Sequence, residues 1–401
     1  MAFYKKIVLK LLGKMNLGQL HFSIGNKETH VFGKGDAPIA DMRVIDEEFF
    51  KRVVLYGDIG LGEAYMDNLW ETSDLTKLMS WFILNVNQLP GMSGSTKTPG
   101  TINLLKVSNR ILHAMKPNSL KGSKKNIRAH YDLSNQFFSL FLDPSMTYSS
   151  ALFEEKAFTL QRAQEQKYDS LCQAVRLDEA DHVLEIGSGW GGFAAYAAKK
   201  YGCKVTGITI SEEQFKLSNE QVKKQDLSDR VSFLLEDYRK VKGTFDKVVS
   251  IEMIEAVGHK YFKQYFAKIN ELLKPEGALG LQAIIIPDSR YEDYRKSTDW
   301  IQKHIFPGGL LPSIGKINES VNLTGNMNLY SLKEMGLSYA RTLRNWYGNF
   351  QENLHAVREL GFDDTFIRKW EYYLCSCEAS FLQRNINVVQ MVYARPNNPN
   401  F

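Results

Sequence analysis

The chain has 401 residues, 44% hydrophobic and 24% charged. That length supports two domains and a large buried core, and the balance excludes a disordered or fibrous chain. The net charge of +5 is unevenly placed: residues 1–126 hold 17 Lys and Arg against 11 Asp and Glu, and no acid occurs between Asp74 and Asp132, where nine Lys and Arg do. Such a segment suggests an anionic partner, a membrane surface or a nucleic acid, with a solvated linker as the plain alternative. No basic-aromatic recognition motif accompanies it, so nucleic acid is not expected. Cys172, Cys203, Cys375 and Cys377 lack metal or C-x-x-C spacing and are expected to be reduced thiols; no metal site is expected. The longest apolar run, near Leu78 to Val86, is too short to cross a bilayer, and no signal peptide is evident.

Tyr4 to Met15 places Ile7, Val8, Leu11, Leu12 and Met15 on one helical face, either at a membrane interface or packed on its own domain. Leu20 to Ile45 reads as short strands with turns, and Asp46 to about Asn87 as helix interrupted at Gly57–Gly62. Residues 89–100 read as a linker, Ile102–Met115 as an amphipathic basic helix and Lys116–Lys125 as a second loop. These divide the chain into an N-terminal domain at 1–115, a basic linker at 116–127 and a second domain at 128–401.

From residue 128 strands and helices alternate. Helices are expected at 160–175, 190–202, 211–225 and 259–273, and strands at 182–186, 204–210, 231–235, 246–252 and 278–286. This is the pattern of an α/β fold, a mostly parallel sheet with helices on both faces and its ligand at the carboxyl ends of the strands. Residues 287–337 interrupt the alternation and are expected to cover the active site. Helices at 338–360 and 364–382 and a final strand at 388–394 close the chain.

The stretch Val183-Leu184-Glu185-Ile186-Gly187-Ser188-Gly189-Trp190-Gly191-Gly192-Phe193 combines a buried strand, a glycine turn and a helix start. The glycines let the backbone approach a ligand, and the free N–H groups of the helix face that turn. A glycine turn alone is weak evidence for a dinucleotide. The acid Glu185 before it, and the bulky Trp190 within it, make the stretch resemble the S-adenosylmethionine site of class I methyltransferases.

Three further stretches narrow the resemblance: His130–Phe138 with Leu142–Ser150, then Ser250-Ile251-Glu252-Met253-Ile254-Glu255-Ala256-Val257-Gly258, then Ile305–Ser313. Together with the glycine turn they resemble the cyclopropane-fatty-acyl-phospholipid synthases, relatives of the mycolate cyclopropane synthases. Gly60–Asp67 extends the likeness into the smaller α+β N-terminal domain of the phospholipid enzymes.

The resemblance implies a Rossmann-like methyltransferase domain with an antiparallel last strand. It implies methyl transfer from S-adenosylmethionine to a cis double bond of an unsaturated phospholipid acyl chain, then loss of a proton to bound bicarbonate and ring closure. By motif position the bicarbonate site is Ser150, Glu255, Gln282, Ile284 and Tyr339. The cofactor residues are Tyr131, Tyr148, Ser149, Glu185, Gly187, Gly189, Thr209, Gln214 and Asp237. Gln214 would replace the missing ribose-binding acid, although Ser211-Glu212-Glu213-Gln214 also reads as a capping box.

Many relatives have Cys at the position of Ser150 and His at that of Gln282. An amide still donates but does not change charge near neutral pH. The implied setting is the cytoplasmic face of a membrane, reached through anionic headgroups, with room for a homodimer. Relatives that make methyl-branched or methylene fatty acids, or methylate amines, define the alternative activity.

Overall fold

The structure is a computed structural model that describes residues 1–26, 28–85 and 134–401. Tyr131, the sequence linker at 89–100, the basic helix at 102–115 and the linker at 116–127 lie outside the described residues. The chain divides into two compact units: Met1–Lys116 with Ser289–Pro307 and Leu343–Ile386, and Pro117–Asp288 with Gly308–Thr342 and Asn387–Phe401. Where the sequence suggested one cut near 116–127, two later stretches group with the N-terminal residues. Among the described residues, no helix is long and apolar enough to cross a membrane.

The first unit holds a sheet in the order β2-β1-β3-β4. β1 (Gln19–Ile24) runs antiparallel to β2 (Glu28–Gly33) and parallel to β3 (Ile39–Val44), and β4 is the pair Trp70–Glu71. Alternation puts Leu20, Phe22 and Ile24 of β1 inward with Ala40, Met42 and Val44 of β3. The helix Ala2–Leu12 buries Val8 and Leu12 against this unit, the second of the two readings for that segment. The helix Glu48–Met66 continues through the expected interruption and kinks at Gly57. Helices Leu75–Asn85 and Asp364–Leu382 pack together, tied by Thr76 Oγ1 donating to Glu378 at 2.9 Å.

The second unit is a seven-stranded sheet in the order β10-β11-β9-β8-β5-β6-β7. β5 (His182–Ile186), β6 (Lys204–Thr209), β7 (Val231–Leu235), β8 (Phe245–Ile251) and β9 (Leu273–Ile285) are mutually parallel, and β11 (Asn387–Ala394) is antiparallel to β9. This is the class I methyltransferase architecture. Val183, Leu184, Val248, Val249, Leu279 and Leu281 are fully buried, each worth about 1.5–3 kcal/mol. Order reverses between β5 and β8, so a crevice forms at their carboxyl ends.

β10 (Asn328–Glu334) pairs with β11 and was not expected from sequence. All seven of its residues are exposed, so no burial alternation marks it; pairing to an edge alone defines it. The helix expected at 338–360 is two, Gly336–Glu352 and Leu354–Glu359. The interval 287–337 contains helices Asp288–Tyr294, Trp300–His304 and Ile314–Asn322 besides β10, and is shared between the two units.

Candidate active site

β5 ends at Ile186, and the next two N–H groups, of Gly187 and Ser188, both donate to Ile208 O at 3.0 and 2.9 Å. The chain then turns through Gly189 and Gly191 into the helix Gly192–Tyr201. Both glycines have left-handed φ, +51° and +88°. A Cβ on Gly191 would lie 2.7 Å from the Phe233 ring, so that glycine serves packing. A Cβ on Gly189 would meet nothing within 4 Å, so its backbone borders open space.

Glu185, only 3% exposed, sits on β5 just before this turn. Among the described residues, its Oε2 and the Oγ of Ser188 are buried without a hydrogen-bond partner. Burial pushes the Glu185 carboxyl well above its ordinary range, with the Lys167 ammonium pulling it partly back. A buried acid lacking a full counter-charge, next to a backbone that leaves room, fits the cationic end of S-adenosylmethionine.

A cationic ligand favours the ionised acid, so binding must displace its proton. S-adenosylmethionine affinity is therefore expected to rise with pH through the raised range in which this carboxyl loses its proton. Titration calorimetry of wild type and Glu185→Gln checks this. The variant should bind more weakly with a flatter profile, and parallel profiles would remove Glu185 from the cofactor site.

The other expected cofactor residues fall along the same edge. Thr209 ends β6, and its Oγ1 donates to Gln214 Oε1 at 2.8 Å while accepting from Ser211 N. Ser211 caps the following helix by accepting from Gln214 N, which is half of the expected capping box; the Gln214 carboxamide turns to Thr209. Asp237 follows β7, and its carboxylate is held by Arg239 through Nε and Nη2, both at 2.7 Å. A ligand amino group there would share Asp237 with the guanidinium.

The loop before Ser150 is folded by Asp143, which accepts from Ser145 N, Ser145 Oγ and Thr147 N. Thr147 Oγ1 meets Tyr168 OH at 2.6 Å, and Gln164 donates to Ser149 O at 2.9 Å. These contacts set Tyr148, Ser149 and Ser150 in register with the sheet edge. Tyr148 packs on Phe138 at 5.3 Å between ring centroids, and Trp190 packs on Phe138 at 5.2 Å while its Nε1 donates to Asn135.

The expected anion cradle is brought together, but around a residue the sequence reading did not assign. Glu252 follows β8 at φ +50°, a left-handed conformation that glutamate rarely adopts. Its Oε1 accepts from Ser150 N at 2.8 Å and from Gln282 Nε2 at 2.7 Å, and its Oε2 accepts from Tyr339 OH at 2.9 Å. Gln282 is fixed in turn by its neighbour in register, Gln390, whose Nε2 donates to Gln282 Oε1 at 3.0 Å. The second amide hydrogen of Gln282 points at Ser150 O, 3.4 Å away.

The remaining two cradle residues bond to each other, with Ile284 N donating to Glu255 Oε1 at 2.6 Å. The other Glu255 oxygen is buried without a partner among the described residues. Leu310 N donates to Glu255 O, so the segment after Gly308 runs beside this acid. Burial first, then the charge of Glu252, pushes the Glu255 carboxyl up to about 8. Burial raises Glu252 as well, opposed mainly by the Lys167 ammonium.

Lys167 is fully buried on the helix Leu160–Ala174, donates to Ser149 Oγ at 2.7 Å and lies 4.3 Å from the centre of the Tyr168 ring. Burial pulls its ammonium down to about 8 despite Glu252, Asp143 and Glu185. Sequence reading missed Lys167, Glu252 and Gln390. The first had a signal: it lies among Leu160, Ala163, Gln164, Tyr168 and Leu171 on the buried face of its helix.

The chain is similar to known proteins over most of its length. The mycolic acid cyclopropane synthetase family model matches residues 118–391. Cyclopropane-fatty-acyl-phospholipid synthase of Escherichia coli (strain K12) is 37% identical over 90% of this chain and 89% of its own. Tuberculostearic acid methyltransferase UfaA1 of Mycobacterium tuberculosis is 36% identical over 87% of this chain and 82% of its own. Among solved structures, the mycolic acid cyclopropane synthase CmaA1 complexed with SAH and CTAB aligns at a TM-score of 0.62 and 31% identity, covering 67% of this chain and 97% of that one.

Proposed function

The chain belongs to the mycolic acid cyclopropane synthetase family of S-adenosylmethionine-dependent methyltransferases, and on that premise we propose that it alkylates a cis double bond in an unsaturated phospholipid acyl chain, forming a cyclopropane ring. One observation carries this reading. The glycine turn with its buried, only partly compensated Glu185 shares a sheet edge with a second cluster of acids, Glu252 and Glu255. An ordinary class I methyltransferase needs the first; alkylation of an unactivated alkene also needs a base for the proton that must leave.

S-adenosylmethionine, when bound, supplies an electrophilic methyl group. Glu185, Ser188 and the backbone at Gly187 and Gly189 would hold its methionyl end, with Tyr148, Thr209, Gln214 and Asp237 along the rest of the edge. Tyr148 and Phe138 add aromatic surface, which tolerates a carbocation and excludes water. The resemblance also implied a bicarbonate at Ser150, Glu255, Gln282, Ile284 and Tyr339. Those five residues bond to Glu252 or to each other, so a separate anion does not fit among them, and no step is routed through it.

The same reading puts the enzyme's work at the cytoplasmic face of a membrane, where the net positive charge of the sequence between Asp74 and Asp132 would favour anionic headgroups. A second reading, methyl transfer that ends in a methyl or methylene branch, is favoured by the relative named a tuberculostearic acid methyltransferase.

Methyl-labelled S-adenosylmethionine and unsaturated phospholipid vesicles, anionic or neutral, at low and high salt, test both. The expected product is a fatty acid heavier by one CH₂ unit and lacking its alkene, formed faster on anionic vesicles at low salt. Retention of an alkene in the heavier product selects the branched reading. Label found in amines alone would overturn the function, and equal rates on all vesicles would overturn the docking.

A further inference from the structure

We propose that the side-chain carboxylate of Glu252 takes the place of a bound small anion and is itself the base that removes the proton. The inference rests on the alkylation reading above and adds the identity of the base.

Geometry carries the assignment. Three donors from three separate parts of the chain converge on one carboxylate: Ser150 N–H and the Gln282 amide on Oε1, and the Tyr339 hydroxyl on Oε2. These are donors that the family resemblance reserves for bicarbonate. A carboxylate presents the same planar carbon with two oxygens, and it carries the same single negative charge. Both amide hydrogens of Gln282 are engaged, and Gln390 holds its oxygen, so the carboxamide has no freedom to turn toward another anion. In the remaining cradle pair the Ile284 N–H is already taken by Glu255 Oε1, while the other Glu255 oxygen has no partner among the described residues. A bicarbonate added here would be a further negative charge beside two acids, with its donors already in use.

The backbone agrees. Glu252 N donates to Gln282 O at 2.8 Å, which locks the residue as β8 ends. Holding a non-glycine residue at φ +50° costs on the order of 1 kcal/mol, a strain that persists where the surroundings over-determine it. Lys167, buried nearby, compensates the charge.

The step balances without a co-reactant beyond the donor and the alkene. The S–CH₃ bond breaks as the methyl carbon bonds to one alkene carbon, leaving a cation on the other. A C–H bond of the added methyl group then breaks. Its proton goes to a Glu252 oxygen, and its electron pair closes the third side of the ring. The proton later passes to solvent.

The test uses the full-length enzyme, unsaturated phospholipid vesicles and buffer freed of carbon dioxide. Wild-type turnover is expected to be the same with and without added bicarbonate. Glu252→Gln keeps the shape and loses the base; turnover should fall roughly a hundredfold or more, with S-adenosylmethionine affinity unchanged by calorimetry. Glu252→Gly relieves the left-handed strain and empties the space between the three donors, so its turnover should be low and should recover on adding bicarbonate.

Wild-type turnover that stops without bicarbonate and returns with it, or a fully active Glu252→Gln, would overturn the assignment while leaving the alkylation reading intact. A wild type that yields no alkylated acyl chain under any condition would instead remove the alkylation reading and the assignment with it.

Discussion

Replacing Gly189 with asparagine is expected to weaken S-adenosylmethionine binding by roughly a hundredfold, about 2.7 kcal/mol, while leaving the fold intact. The position allows this separation because a Cβ there meets no protein atom within 4 Å. Asparagine tolerates the left-handed conformation at φ +51° better than other side chains, so strain stays small. Its side chain then occupies the space that the backbone turn leaves beside Glu185. Gly191 would not serve, because a side chain there collides with Phe233 and damages packing first. Calorimetry and a thermal melt decide the matter together. Normal affinity in Gly189→Asn would move the cofactor elsewhere, and a collapsed melting temperature would make the glycine structural.

The second large effect concerns Glu255 and pH. With its carboxyl pushed up to about 8, Glu255 is protonated at neutral pH, and Glu252 is then the more readily ionised of the two acids. Above about pH 8 Glu255 ionises as well. A second negative charge beside the first raises the cost of the charged site, and turnover should fall about tenfold per further pH unit. Glu255→Gln copies the neutral form and still offers an oxygen to Ile284 N–H. It should keep most activity near neutrality and lose this alkaline limb. An unchanged alkaline limb in the variant would mean that another group sets it.

The same shift makes a stability statement. Glu255 holds its proton in the folded state up to about pH 8, whereas the unfolded chain releases it near 4.5. The folded state therefore binds more protons between those values. Its contribution is full below about 4.5 and lost as pH rises through about 8, on the order of a few kcal/mol. Lys167 acts oppositely above that window: its ammonium, pulled down to about 8, deprotonates in the fold before it does in the unfolded chain, which favours folding as pH climbs further. Comparing melts of wild type and Glu255→Gln from acid to neutral pH isolates the Glu255 part, since only wild type should lose stability there on this account.

The local signals in the chain reported local structure well. A short apolar run with one acid, four glycines and an alanine-rich helix start identified the β5 turn, because each of those residues acts through its own φ and ψ or its immediate neighbours. The alternation of strand and helix after residue 128 was enough for a parallel sheet, and the motif set was enough for the family. Gln214 shows where local signals stop. Its place in the cap was visible three residues along the chain from Ser211, whereas its bond to Thr209 needed the end of β6 to arrive.

What the sequence alone determined, then, is the fold class, the family and the glycine turn that ends β5. Tertiary structure decided which acid receives the donors. Glu252 and Glu255 are three residues apart with no local feature that ranks them, and the difference comes from the register of β8, β9 and β11. That register sets Gln282 opposite both Ile251 and Gln390, and so aims its amide at Glu252. Tyr339 and Ser150 reach the same carboxylate from far along the chain. Hydrogen bonds act over about 3 Å of space whatever the sequence distance, so no pattern of neighbours could have announced them.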